Sequence, residues 1–254
     1  MKTSIISHYT NKFSIIISLV FIFLVWQVSS FFFLEVILPS PLQTFMAIEK
    51  MMISGELLSH LKLTLIRVFL GFSLGTLSAV FFGVFAGKFS MIYELFRPIQ
   101  AILIGSPPIA IVVLAMIWFS TGHIATIFVI SILVFPTVFI HTADGYRQLD
   151  RHLFEMANVY QRPLRTILLN IVIPGLLSPI FTSISLAIGS AFRIGIMAEL
   201  LNTSNGIGYS IAIARANLDT AKVFAWIFIS IIIVILIDFF ITRPLKNRVS
   251  KWRF

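Results

Sequence analysis

The residues of this 254-residue chain that could do chemistry are few, and most fall in one stretch, Leu149 to Pro174, reading LDRHLFEMANVYQRPLRTILLNIVIP. Asp150, Arg151, His152, Glu155, Asn158, Tyr160, Gln161, Arg162 and Arg165 crowd together there between long apolar runs. Such a segment must lie in water, because hydrocarbon offers its polar groups no partners. Leu149, Leu153, Met156 and Tyr160 recur at helical spacing with charges between them, which predicts a short amphipathic helix with an apolar stripe that needs a surface to cover. Gln161-Arg162-Pro163 then breaks it: proline fixes its own φ, suits the first position of a new helix and pushes Arg162 out of the α region. The expected shape is helix, sharp corner, second helix, suited to insertion into a cleft on another protein.

Other chemistry is poorly represented. Zero Cys excludes disulfides and thiolate sites, and the five His form neither an i, i+4 pair nor a cluster with carboxylates, so no metal site is expected. Gly83 to Lys88 is one residue short of a phosphate loop, has Phe89 where Ser or Thr is needed, and follows no strand. No Ser-His-Asp set or carboxylate pair can be proposed, so the chain is not expected to be an enzyme. Arg193 lies within an apolar span, where a central arginine costs at least about 2.5–3.5 kcal/mol and faces protein or water. It either draws an anionic solute into a path, pairs with Glu199, or snorkels to the interface. Asp238 is expected to pair with basic residues of the C-terminal tail.

The elements that must position these groups are membrane helices. With 58% hydrophobic and 11% charged residues and a mean hydropathy of +1.01, the chain reads as an all-α, polytopic membrane protein rather than a soluble domain. The net charge of +9 points to the membrane rather than to nucleic acid, because its distribution matters more than its sum. Six spans are predicted in a single domain, at about 13–34, 68–87, 98–120, 124–140, 167–192 and 223–242, with a cytoplasmic loop at 147–166. The first is too long and too bulky at its end for a cleaved leader. The second carries Gly71-x-x-x-Gly75 and Gly83-x-x-x-Gly87, spacings that let helices approach closely. The third is interrupted at Ser106-Pro107-Pro108, where freed backbone carbonyls are tolerated facing protein or a watery path; the fifth is expected to bend at Pro174 and Pro179. Pro107, Pro108, Arg193 and Glu199 are the candidates for a translocation path. Placing both termini inside gathers Lys2, Lys12, Lys88, Arg97, Arg147, Arg151, Arg162, Arg165, Arg243, Lys246, Arg248, Lys251 and Arg253 on the cytoplasmic face.

The polar stretch resembles the "EAA" loop of the membrane subunits of ATP-binding-cassette (ABC) importers: Glu-Ala-Ala, three residues, Gly, nine residues, then Ile-x-Leu-Pro. Glu155, Ala157, Ile171 and Pro174 fit in register, while Met156, Gln161 and Ile173 replace an alanine, the glycine and the leucine. The glycine matters most, because it takes a left-handed corner freely and another residue is disfavoured there by roughly 1 kcal/mol. Further landmarks widen the resemblance to nearly the whole chain: Leu38-Pro39-Ser40-Pro41, Leu65-x-Arg67-Val68 with Gly71-Phe72, Arg97-Pro98-Ile99, Pro107-Pro108-Ile109-Ala110, Trp118-Phe119, and Ala198-Glu199-Leu200 with Gly206-Ile207-Gly208-Tyr209. They are similar to the permease branch that handles taurine, alkanesulfonates, nitrate and thiamine precursors.

That resemblance implies a type I ABC importer permease fold, a homodimer, two cytoplasmic ATPase subunits that hold ATP and Mg, and an extracytoplasmic substrate-binding protein. Leu153, Met156, Ala157 and Tyr160 would then dock into a groove on the ATPase, with Glu155, Asn158, Gln161, Arg162, Pro163 and Pro174 shaping the contact and its corner. An ion-driven secondary transporter is the rival, but neither repeated halves nor a central acidic relay is visible.

Overall fold

The computed structural model describes the backbone of residues 3–245 and side chains from residue 17 onward. Lys2, Lys246, Arg248, Lys251, Arg253 and the side chain of Lys12 lie outside that description. Among the described residues the chain is helical throughout: α1 (Thr3–Ser30), α2 (Pro41–Ile53), α3 (Glu56–Lys88), α4 (Ser90–Gly105), α5 (Pro108–Phe119), α6 (His123–Arg147), α7 (Arg151–Val159), α8 (Leu164–Asn202), α9 (Ile207–Ala216) and α10 (Thr220–Leu245). Helices α3, α6, α8 and α10 are each long and apolar enough to cross a membrane. The pair α4 and α5, bent by 103° at Ser106-Pro107, makes a fifth candidate if it counts as one span, and α1 has a shorter apolar run, Ile17–Ser30.

Several helices extend beyond the predicted spans. The one that carries the second span begins at Glu56, so Lys62 and Arg67 belong to a helix about 50 Å long. It starts there because Gly55, at φ +73°, ends α2 within a single residue. The expected loop from Lys88 to Arg97 is only a break at Phe89, and the third span is an elbow rather than a straight helix. Proline at 107 and 108 removes two successive amide donors, and the backbone there turns extended. Helix α1 stops at Ser30, and α6, α8 and α10 extend beyond the spans predicted within them. The bend expected at Pro174 is taken up by a π-helical turn, Leu168–Val172, which absorbs the missing donor without breaking α8.

The chain divides into two compact units. One comprises residues 1–59 and 210–229. In it Ser40 caps α2 in a reciprocal box with Gln43, Trp26 Nε1 donates to the Pro39 carbonyl at 3.0 Å, and Lys222 pairs with Glu56 at 2.7 Å. The other comprises residues 60–209 and 230–254 and is built around α6. Gly71, Gly75, Gly83 and Gly87 of α3 meet Ile130, Ser131, Thr142 and Tyr146 of α6, so the two helices run parallel at close approach. A Cβ on Gly75 would come within 2.5 Å of the Ser131 carbonyl oxygen, and Ser131 Oγ donates to the Gly71 carbonyl at 2.9 Å. On the opposite side Gly145 of α6 admits the Pro179 ring of α8. Phe96 of α4 stacks on Phe139, and α5 packs through Ile111, Val112 and Ala115 against a cluster that includes Ala125, Val129 and Ala198.

Candidate functional site

The predicted amphipathic helix is α7, and its start and end are both chemically specified. Asp150 caps it, its carboxylate accepting from His152 N at 2.9 Å. At the other end Arg162 N donates to the Ala157 carbonyl at 2.9 Å and Gln161 N to the Asn158 carbonyl at 3.0 Å, with Gln161 at φ +48°. Those two bonds with a left-handed residue make a Schellman motif. The corner that the family pattern assigns to glycine is therefore kept, at the same position, by glutamine. Pro163 precedes the next helix as its cap rather than opening it.

Helix α7 has two apolar faces. Ala157 is buried, Phe154 packs its ring 6.2 Å from that of Tyr146, and Leu149 covers Gly175, so one face rests on this chain's own α6 and α8. Ala157, 5% exposed, is the one buried residue of α7, unlike Leu153, Met156 and Tyr160 of the predicted stripe. Leu153, Met156, Val159 and Tyr160 form the outer face; Met156 is 51% and Val159 79% exposed. Glu155 is also exposed and reaches His152 Nδ1 at 3.3 Å, while Asn158, Gln161, Arg162, Pro163 and Pro174 are exposed around the corner and along the next helix.

A second polar assembly lies at the other end of the parallel helices α3 and α6. Arg67, 1% exposed, donates from Nη1 to Glu199 Oε1 at 2.5 Å and to the Asn205 carbonyl at 2.8 Å, from Nη2 to Asn205 Oδ1, and from Nε to His123 Nδ1 at 2.9 Å. Glu199 Oε2 accepts from Thr64 Oγ1 at 2.7 Å and from Gly208 N at 3.1 Å. Ile207 N donates to Thr64 Oγ1 at 2.9 Å and Gly206 N to His60 Nδ1 at 2.9 Å. Three successive amides at the start of α9 are thus satisfied from α3 and α8. The pair is buried yet fully hydrogen-bonded, the condition under which burying two charges is tolerated.

Of the three readings of Arg193, pairing with Glu199 is removed, because Arg67 holds the carboxylate. Arg193 is exposed on α8, and Pro107 and Pro108 form the elbow between α4 and α5. Sequence reasoning missed Arg67, Thr64, His60, His123 and Asn205. A usable signal was present: the landmarks around Arg67 and Glu199 each place one charge, of opposite sign, in apolar surroundings. Asp238, as expected, bonds a tail residue, Arg243, at 3.3 Å.

Residues 79–246 match the family model described as binding-protein-dependent transport system inner membrane component. The chain is 34% identical to the "Putative aliphatic sulfonates transport permease protein SsuC" of Bacillus subtilis (strain 168), over 85% of this chain and 78% of that one. It is 25% identical to the taurine transport system permease protein TauC of Escherichia coli (strain K12), over 78% and 72% respectively. In fold it is similar to the crystal structure of an amino acid ABC transporter, with a TM-score of 0.62 at 14% identity, covering 80% of this chain and 97% of the other. The MetNI methionine ABC transporter in inward-facing form gives 0.58 at 17% identity, covering 78% and 98%. The chain therefore belongs to the family of binding-protein-dependent transport system inner membrane components: it is a multi-pass inner-membrane permease subunit of an ABC importer.

Proposed function

We propose that two copies of this chain, each crossing the membrane six times with both termini in the cytoplasm, form the path for a small anionic solute, an aliphatic sulfonate before taurine or nitrate. An extracytoplasmic binding protein delivers it, and two separate ATPase subunits, which hold ATP and Mg, drive its passage. The observation that carries this reading is the second, uncovered apolar face of α7, built of Leu153, Met156, Val159 and Tyr160 on a helix whose opposite face is already packed. Its Asp150 cap and Schellman corner make α7 stiff, so a push from the ATPase moves it as a body instead of unwinding it. Closure of the ATPase pair on ATP then biases the bundle from inward to outward access.

Met156→Glu puts a charge in the middle of the docking face. In proteoliposomes carrying the complete complex, it should detach the ATPase or leave ATP hydrolysis running without ethanesulfonate uptake. Unchanged uptake with the ATPase bound would refute the docking role. Uptake by the permease alone, driven by an ion gradient with no ATPase present, would favour a secondary transporter.

A further inference from the structure

Resting on the import of an anionic solute proposed above, we infer that Arg193 is the fixed cation that holds the solute's oxyanion part-way along α8. Arg193 lies nine residues, about 14 Å of helix, before the end of α8 at Asn202, with apolar turns on both sides. It is exposed, and among the described residues it makes no hydrogen bond or ion pair.

No carboxylate among the described residues pairs with Arg193, and those within candidate spans have other partners. Glu56 is held by Lys222, Glu94 by Arg97, Asp144 accepts from the Tyr93 hydroxyl, Glu199 is held by Arg67 and Asp238 by Arg243. An anion that enters from outside the chain can therefore face Arg193.

The surroundings suit such an occupant. Gly189, Ser190 and Arg193 share one face of α8, and a Cβ added at Gly189 would meet nothing within 4 Å, so space opens beside the guanidinium. Ser190 spends its hydroxyl hydrogen on the Leu186 and Ala187 carbonyls, leaving the guanidinium as the donor on that face. Ile194 and Met197 of α8 pack against the cluster that holds Ile111 of α5. A planar guanidinium with its donors in a fork matches two oxygens of a sulfonate or carboxylate.

The test uses the complete complex of permease, ATPase and binding protein in proteoliposomes, with labelled ethanesulfonate as probe. Arg193→Gln should cut uptake at least tenfold while the complex stays assembled, and Arg193→Lys should recover part of the loss. Gly189→Leu leaves the charge in place and fills the space beside it, so it should also block uptake; it serves as the second arm if Arg193→Gln fails to assemble. Wild-type uptake in Arg193→Gln, or in Gly189→Leu, overturns the assignment and leaves the arginine a snorkelling surface charge. A wild-type complex that hydrolyses ATP without importing ethanesulfonate or taurine would instead defeat the proposed solute class, and this assignment with it.

Discussion

Arg67→Met isolates the buried ion pair at the start of α9. The substitution keeps the volume of the side chain and removes the four hydrogen bonds to Glu199, Asn205 and His123. Glu199 is left 1% exposed with only Thr64 Oγ1 and Gly208 N to face its charge. Breaking one side of such a pair costs about 3–5 kcal/mol. For a chain of this size that is roughly 6–20 °C in the apparent unfolding midpoint. Glu199→Leu alone should be comparably harmful, since it orphans the guanidinium. The double variant removes both charges together, and an apolar replacement of a buried pair is often neutral. It still leaves Gly208 N without its acceptor, at about 1–3 kcal/mol. The double should therefore unfold above Arg67→Met, with a coupling of at least about 1 kcal/mol between the two sites. Thermal unfolding of the purified permease complex in mild detergent, read by the four members of the cycle, measures it. Single variants that stay within about 2 °C of wild type, or a double that loses the sum of the two, would refute the view that the pair is energetically closed.

Other perturbations follow from the same geometry. Gln161→Gly relieves about 1–2 kcal/mol of left-handed strain against roughly 0.5–1 kcal/mol of added chain entropy, so the midpoint should rise slightly or hold while uptake persists; Gln161→Val should lower both. Asp150→Ala removes the cap of α7 and should loosen it by about 1 kcal/mol, seen as faster amide exchange in residues 151–154 with the bundle unaffected. Gly75→Leu drives a side chain into the Ser131 backbone and should destabilise by about 1–3 kcal/mol, measured as a lower midpoint.

How far the sequence reached depends on the physics of each part. Mean hydropathy and the run of apolar segments decide the class outright, because no soluble fold tolerates them. The α7 corner was legible as well, since Asp150, the helical spacing to Tyr160 and Pro163 are local signals. Helix limits were not: the predicted second span starts just after Arg67, at 68, whereas that cation lies inside α3, buried against a carboxylate 132 positions away. Nothing local in the chain announces that pairing. Likewise Ala157 could have faced either way, because an alanine on an amphipathic helix suits a close internal contact and a partner's groove equally. The elbow at Pro107 was visible as a break but not as 103°, an angle set by how α4 and α5 each pack on α6.

The glycine ladder between α3 and α6 has a consequence for movement. Over seventeen residues, Gly71 to Gly87, backbone meets side chain and backbone with no room for a methyl group at the four glycines, so sliding one helix past the other by even one residue would collide at every rung. The two form a girder that can tilt but not shear. Compliance has to come from elsewhere, and the chain holds two weak points: the uncapped elbow at Ser106-Pro107 and the over-wide turn at Leu168–Val172. A stroke delivered at α7 should leave the girder's internal distances unchanged and appear as changed angles at those two joints.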